Sequence, residues 1–362
     1  MTTARAAVVR AAGDAPRVET IELRDPGPGQ VRVRLAATGV CHSDLSLANG
    51  TMVQPFPAVL GHEGAGRVVA TGDGVNLHEG DAVVLNWSPS CRECWFCAHG
   101  EPYLCVRATE AASQPYAQLE DGTDVYPGLG VAAFATETVV NEDACVRVGD
   151  DVPLHQAAVL GCAMLTGVGA VLNAARVEPG ESVVVVGLGG VGLCAVQGAR
   201  IAGAGPIIAV DPAAEKGVLA RKLGATDALQ PSPELAKQVR ALTGGRGADH
   251  AIECVGRGET IRAAWSSTRR GGHATILGMG ARTDTVSFNA LEIAHFARTL
   301  QGCMFGASDP ERDLPVLLEH VRAGRLDVET LVTSRIGLDA VDVAFADLEA
   351  GRGARSLIVF DG

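Results

Sequence analysis

The stretch Ser182-Val183-Val184-Val185-Val186-Gly187-Leu188-Gly189-Gly190-Val191-Gly192 decides the fold of this chain. Four consecutive valines suit a strand buried on both faces, and a G-x-G-x-x-G turn directly after them opens the helix-length segment VGLCAVQGARIAG. Gly187 permits the tight turn, Gly189 with Gly190 lets a pyrophosphate approach the backbone, and Gly192 lets helix and strand pack closely. The next strand, PIIAVD, ends in Asp211, where the spacing of about 20 residues places a carboxylate on the adenosine ribose. Asp211 favours NAD over NADP because it repels a 2′-phosphate. Pro212, Ala213 and Ala214 offer no basic replacement, and Lys216 stands one helical turn on, within reach of the ribose. A glycine-rich turn with a capping aspartate is the plainer alternative.

Outward from that turn, AEKGVLARKLG, DHAIECVG and HATILGM continue an alternation of helix and strand, which predicts a doubly wound parallel sheet. Before it the rhythm is different. RAAVVR, QVRVRLAATGV, GAGRVVATG and DAVVLN are short strands punctuated by glycines and by PGPG at 26–29, which reads as a β-rich module. After it, LPVLLEHVRAG and LDAVDVAFADLEAG read as amphipathic helices and SLIVF as a closing strand that returns to the first module. The expected class is α/β, with a β-rich catalytic domain at 1–163, a Rossmann domain at 164–304 and a C-terminal return at 305–362.

A chain of 362 residues is too long for one ordinary core. Its net charge of −12 opposes attraction to nucleic acid and to anionic membranes. The N-terminus, MTTARAAVVRAAGD, has no long apolar region, and no apolar run is expected to cross a bilayer. The expected setting is cytoplasmic.

Cys91, Cys94, Cys97 and Cys105 form C-x2-C-x2-C-x7-C, a metal-ligand spacing. Four thiolates close a tetrahedral centre and leave no position for a substrate, so this zinc is expected to be structural, in a lobe at 91–105. Disulfides and an iron–sulfur cluster are the alternatives. A reducing compartment disfavours the first, and the lack of a C-x2-C-x2-C-x3-C-P run disfavours the second. Cys41 in GVCHSD, His62 in GHEGAG and Cys162 in LGC make a second set, whose fourth position is left to water or substrate, as in a catalytic zinc site. Asp44 is placed to bond the second nitrogen of a ligating histidine, and Glu63 is a second-shell or transient ligand. Taken singly, each of these residues could be packing or a helix cap.

GVCHSD, GHEGAGRVV, the four-cysteine lobe, GC-x3-TG at 161–167 and GLGGVG together resemble the zinc-containing medium-chain alcohol dehydrogenases over essentially the whole chain. LNWSPSCRECWFCAHGEPYLC, LGCAMLTGVGA and LVTSRIGLDAVDVAF look most like the actinobacterial branch that contains mycothiol-dependent formaldehyde dehydrogenases. The resemblance implies a GroES-like catalytic domain, two zinc ions per chain, NAD, and a homodimer or homotetramer. It implies further that Cys41, His62 and Cys162 hold the catalytic zinc, that Ser43 bonds the oxygen of the substrate, and that His42 faces the pyrophosphate. Thr166 and Val191 would press on the nicotinamide, Asp211 and Lys216 would hold the ribose, and Arg355 would reach a cofactor phosphate.

Two departures stand out. Liver-type members carry a histidine five residues after the first zinc cysteine, where this chain has Ser46. Glutathione-type members carry an arginine four residues after the last lobe cysteine, where this chain has Thr109, with Arg107 only nearby. The implied activity is interconversion of a primary or secondary alcohol with its aldehyde or ketone. Zinc lowers the pKa of the hydroxyl, which then gives up hydride to nicotinamide. The alternative is oxidation of an S-hydroxymethyl-thiol adduct. Trp87, Leu119, Phe305 and Leu47 are candidate lining residues, and Cys145, Cys194, Cys254 and Cys303 match no ligand motif and read as buried packing residues.

Overall fold

The computed structural model describes residues 2–360, which form two compact units. The first comprises residues 2–162, Asp309–Arg322 and 332–360, and the second Ala163–Ser308 and Ala323–Leu331. The short excursion Ala323–Leu331 into the second unit is a feature that a single return at 305–362 does not contain.

The second unit holds a six-stranded, wholly parallel sheet. Its strands lie in the order Asp227–Leu229, Ile207–Val210, Val183–Val186, Ala248–Glu253, Thr268–Ile276 and Thr299–Gly302. This is the doubly wound order 3-2-1-4-5-6, with the reversal at Val183–Val186. All four of its valines are buried, as a strand covered on both faces requires. The chain leaves this strand through Gly187 at φ +90° and enters the helix Gly190–Ile201. A Cβ on Gly192 would lie 1.8 Å from the Gly187 carbonyl oxygen, so only glycine lets the helix start so close to the strand.

The first unit contains a closed five-stranded barrel and a seven-stranded sheet. Gln30–Val40 is central to that sheet and pairs with Glu63–Thr71, Glu137–Asn141 and Arg355–Val359. Alternating burial along Gln30–Val40 reflects its period-2 pattern, and the closing strand SLIVF pairs with it as the sequence predicts.

One helix tests the expectation that no segment crosses a bilayer. Leu154–Ala175 is a 22-residue helix whose most apolar 18-residue window has a mean hydropathy of 1.8, long and apolar enough to cross a membrane. It carries no lysine, arginine, aspartate or glutamate. The reason for its composition is packing, since 78% of its most apolar window is buried within the protein.

Candidate active site

Cys41 ends the strand Gln30–Val40 and immediately precedes the helix His42–Ala48. His62 stands just before the strand Glu63–Thr71. Cys162 lies in a π-helical turn, Leu160–Met164, inside the long apolar helix, and such turns re-aim side chains out of α-helical register. The three ligand atoms lie within 4.8 Å of one another, and all three residues are buried. His62 Nε2 is 3.3 Å from Cys162 Sγ. Ligands on a common tetrahedral ion with arms of about 2.0 and 2.3 Å sit about 3.5 Å apart, so the trio fits zinc.

Asp44 assembles this site. Its Oδ1 accepts from His62 Nδ1–H at 2.8 Å and from the Gly61 N–H at 2.9 Å, and its Oδ2 accepts from the Cys41 N–H at 3.2 Å. A fully buried carboxylate accepts only, so Nδ1 carries the proton and Nε2 is left to face a metal ion. The sequence expects Asp44 on the histidine; that it also ties down both flanking loops has no sequence signal. Ser43 Oγ lies 3.9 Å from Cys41 Sγ, beside the trio.

Charge also favours a cation here. A hydrogen bond from Cys162, with the Arg355 guanidinium behind it, holds the Cys41 thiol well below its ordinary pKa, while Cys41 and burial push Cys162 well above. Two buried thiols cannot both ionise until a positive ion joins them. Arg355 is buried, donates to the Val40 carbonyl at 2.8 Å and pairs with Glu63 at 3.3 Å. The structure therefore places Arg355 behind the thiols, and Glu63 in an ion pair outside the ligand trio.

In the lobe, Cys91, Cys94, Cys97 and Cys105 converge, with Sγ–Sγ distances of 3.5 Å for Cys94–Cys97 and 4.0 Å for Cys91–Cys97. A tetrahedron with arms of about 2.3 Å has edges of about 3.8 Å, and the cluster fits a closed four-thiolate zinc site. The Cys91 and Cys94 amides donate to Cys105 Sγ and Cys91 Sγ, each at 3.3 Å. Amides of Cys97 and Val106 draw Cys94 down to about 6, whereas burial first, and then Cys94, push Cys97 up to about 12. Arg92, at φ +59°, makes the turn between the first two ligands and pairs with Asp309 at 2.7 and 2.8 Å.

In the second unit, the helix Gly190–Ile201 begins with no side-chain cap and no acidic residue in its first turn, and a Cβ on its N-cap Gly189 would meet nothing within 4 Å. An uncapped N-terminus with an approachable backbone fits a pyrophosphate. Asp211 is buried and accepts from the Leu188 N–H at 2.8 Å and the Ala213 N–H at 3.0 Å, which keeps lone pairs for a ribose. Lys216 is buried on the following helix, and Thr166 lies on Leu165–Gly169, which packs on the helix that carries Val191. His42, in the first unit, is the exposed first residue of its helix.

Trp87 is half-buried and meets His62 edge-on, ring centroids 6.1 Å apart. Leu47 and Leu119, expected near a substrate, are buried in the hydrophobic core against which Trp87 also packs, and Phe305 is buried in the second unit. All ten cysteines are free, and of the four without a ligand motif only Cys194 is fully buried.

The comparisons with known proteins agree with this geometry. The family described as "Alcohol dehydrogenase GroES-like domain" matches residues 27–150, and "Zinc-binding dehydrogenase" matches 190–322. An S-(hydroxymethyl)glutathione dehydrogenase of Escherichia coli O1:K1 is 37% identical, covering 98% of this chain and 99% of its own length. Among solved structures, an alcohol dehydrogenase zinc-binding domain protein from Burkholderia ambifaria superposes with a TM-score of 0.94 at 32% identity, covering both chains completely. Benzyl alcohol dehydrogenase from Acinetobacter calcoaceticus does so with a TM-score of 0.92 at 29% identity, again over both whole chains.

Proposed function

This chain belongs to the zinc-binding alcohol dehydrogenase family, and from that premise we propose that it oxidises an apolar primary alcohol, aromatic or aliphatic, to the aldehyde with NAD. It is an oxidoreductase that takes two zinc ions and a nicotinamide cofactor. Two assignments are part of the reading: catalysis in the first unit and cofactor binding in the second.

When bound, zinc acidifies the alcohol hydroxyl and the nicotinamide accepts hydride. The protein's own contribution begins with Cys41, His62 and Cys162, which hold the ion while Asp44 fixes the imidazole. Ser43 Oγ takes the proton of the substrate hydroxyl and passes its own outward, a step in which the hydroxyl acts as donor and acceptor at once. His42, the neighbouring residue, is the next candidate carrier, since an imidazole is a side chain suited to proton transfer and the Ser46 hydroxyl is not. Gly187 to Gly192 cradle the pyrophosphate, Thr166 and Val191 contact the nicotinamide, and Asp211 and Lys216 hold the adenosine ribose. Arg355 supplies positive charge behind the thiolates.

The observation that carries the substrate class is Trp87, whose indole stands edge-on to His62 and would place an apolar surface beside an ion held there. A hydroxymethyl-thiol adduct is the second reading, favoured by the 37% identity to the S-(hydroxymethyl)glutathione dehydrogenase. Against it stands Arg107, which is already paired with Glu110 at 3.2 Å and Glu93 at 3.6 Å, while Thr109 offers no charge for a carboxylate. An alcohol screen followed by NADH formation, with and without low-molecular-weight thiols, separates the two. Benzyl-type and aliphatic alcohols are expected to be oxidised without thiol. Formaldehyde oxidation that demands a thiol, with no turnover of simple alcohols, would establish the second reading in its place.

Cofactor preference is a separate expectation. Asp211→Gly is expected to lower the NAD-to-NADP ratio of kcat/KM by roughly one to two powers of ten, because the carboxylate that repels a 2′-phosphate is gone. An unchanged ratio would show that the residue does not read the ribose.

The cytoplasm is the compartment we assign, since ten free thiols, seven of them proposed metal ligands, need reducing conditions. Assembly as a homodimer or homotetramer is supported by the open edge strand Thr299–Gly302 and the adjoining helix Ala290–Phe296, which exposes Leu291 and Ile293.

A further inference from the structure

The strand Ala82–Leu85 runs straight into Asn86-Trp87-Ser88-Pro89, and the residue before the tryptophan carries an amide that no step of the reaction uses. Asn86 and Ser88 are both buried, on either side of the half-buried Trp87. Asn86 Oδ1 accepts from the Ser88 N–H at 2.9 Å. This is an Asx turn, in which a side-chain carbonyl takes the N–H two residues on and fixes the backbone of the residue between them, here Trp87. Only the oxygen of an amide can meet a backbone N–H, so the bond also sets which way the Asn86 side chain lies.

The turn is anchored at both ends. The Asn86 N–H donates to the Ala144 carbonyl at 2.8 Å, and Leu85 just before it pairs with Cys145 in the sheet. On the other side, Pro89 restricts Ser88 to extended backbone. A Cβ on Gly161 would lie 2.6 Å from the Leu85 carbonyl oxygen, so the end of this strand presses on the residue before Cys162. The indole packs against two hydrophobic clusters of the first unit and meets the His62 ring at 84°. Packing holds the ring in place, while the Asx turn sets the backbone from which the ring projects.

We infer that Asn86 is a positioning residue for substrate choice: through its Asx turn it aims Trp87 at His62 and so sets the apolar wall that the side chain of an alcohol meets. Asn86 acts through Trp87 and does not touch the substrate. An apolar residue in its place would leave the buried Ser88 N–H without this acceptor, and the turn would shift to find another, carrying Trp87 with it. A large alcohol, which leans on the wall, would lose more than a small one.

This inference rests on the reading of Trp87 as that wall, and the experiment separates the two. On the zinc-replete full chain, kcat/KM is measured for benzyl alcohol and for ethanol, with metal content alongside. A fall in the benzyl-to-ethanol ratio in Trp87→Ala tests the wall itself. Asn86→Leu keeps much of the side-chain volume and removes the acceptor. It is expected to lower the ratio about tenfold, the scale on which an apolar pocket discriminates, with two zinc ions retained. Asn86→Ser, whose hydroxyl accepts the same N–H more weakly, is expected to recover most of the ratio. In the Trp87→Ala background, Asn86→Leu is expected to change the ratio less than about twofold, because nothing is left for it to position. An unchanged ratio in Asn86→Leu, or an undiminished further loss in the Trp87→Ala background, would overturn the inference, since support of the fold alone lowers both alcohols together. Should Asn86→Leu fail to fold, Asn86→Ala decides by the same ratio and the same double substitution. A ratio that Trp87→Ala leaves unchanged overturns the wall, and this inference with it.

Discussion

Ser43→Ala is expected to lower kcat for alcohol oxidation by about two to four powers of ten, the usual contribution of a positioned proton-transfer group. The loss should fall on kcat rather than on metal content, because Ser43 lies beside Cys41 but outside the ligand trio. Two zinc ions should remain, and NADH should bind as in the wild type. The residual rate should climb with pH, since hydroxide then replaces the missing hydroxyl. Stopped-flow and steady-state rates across the pH range provide the check. A variant with near wild-type kcat throughout would show that the proton leaves by another route.

Asp44→Ala should act through the metal. The substitution leaves the Cys41 and Gly61 amides and His62 Nδ1–H without their buried acceptor. Each buried donor left unpaired costs about 1–3 kcal/mol, and loss of the carboxylate partner of a ligating histidine typically weakens metal binding about 10–100-fold. The expected result is a protein that falls from two zinc ions towards one on dialysis, with the lobe ion retained and a lower melting temperature. Asp44→Asn, which keeps the shape and one acceptor, should show a milder form of both effects. Two firmly held ions and unchanged stability in Asp44→Ala would mean that the aspartate does not organise the site.

The features legible in the sequence are those whose chemistry is local. Four valines before Gly187 and an aspartate after the next strand are enough to specify a parallel strand, its turn and the carboxylate proposed for the ribose. Cys91 to Cys105 lie close enough in the chain for spacing alone to define a tetrahedral set. The site residues that depend on tertiary approach are less visible. Cys162 is a hundred residues from His62, and its aim depends on a π-helical turn that no spacing rule announces. Asp44 is readable as a partner for an imidazole, but its hold on the Gly61 amide appears only once the two loops meet. Leu47 and Leu119 are apolar residues far apart in sequence that meet in one buried cluster, against which Trp87 packs. The uncharged helix Leu154–Ala175 shows the converse, a stretch whose composition fits a bilayer and whose faces are covered by protein.

The central claim is that this is a two-zinc alcohol dehydrogenase in which the Cys41, His62 and Cys162 ion is the one that activity needs. Metal analysis alongside activity during mild chelation tests it most directly, because the four-thiolate lobe is closed and the three-ligand site is open. The account predicts two zinc ions per chain at the outset, one of them lost in step with NAD-linked alcohol oxidation, and activity restored when zinc is returned. A single zinc per chain in the undialysed protein, or full activity after the labile ion has gone, would contradict it.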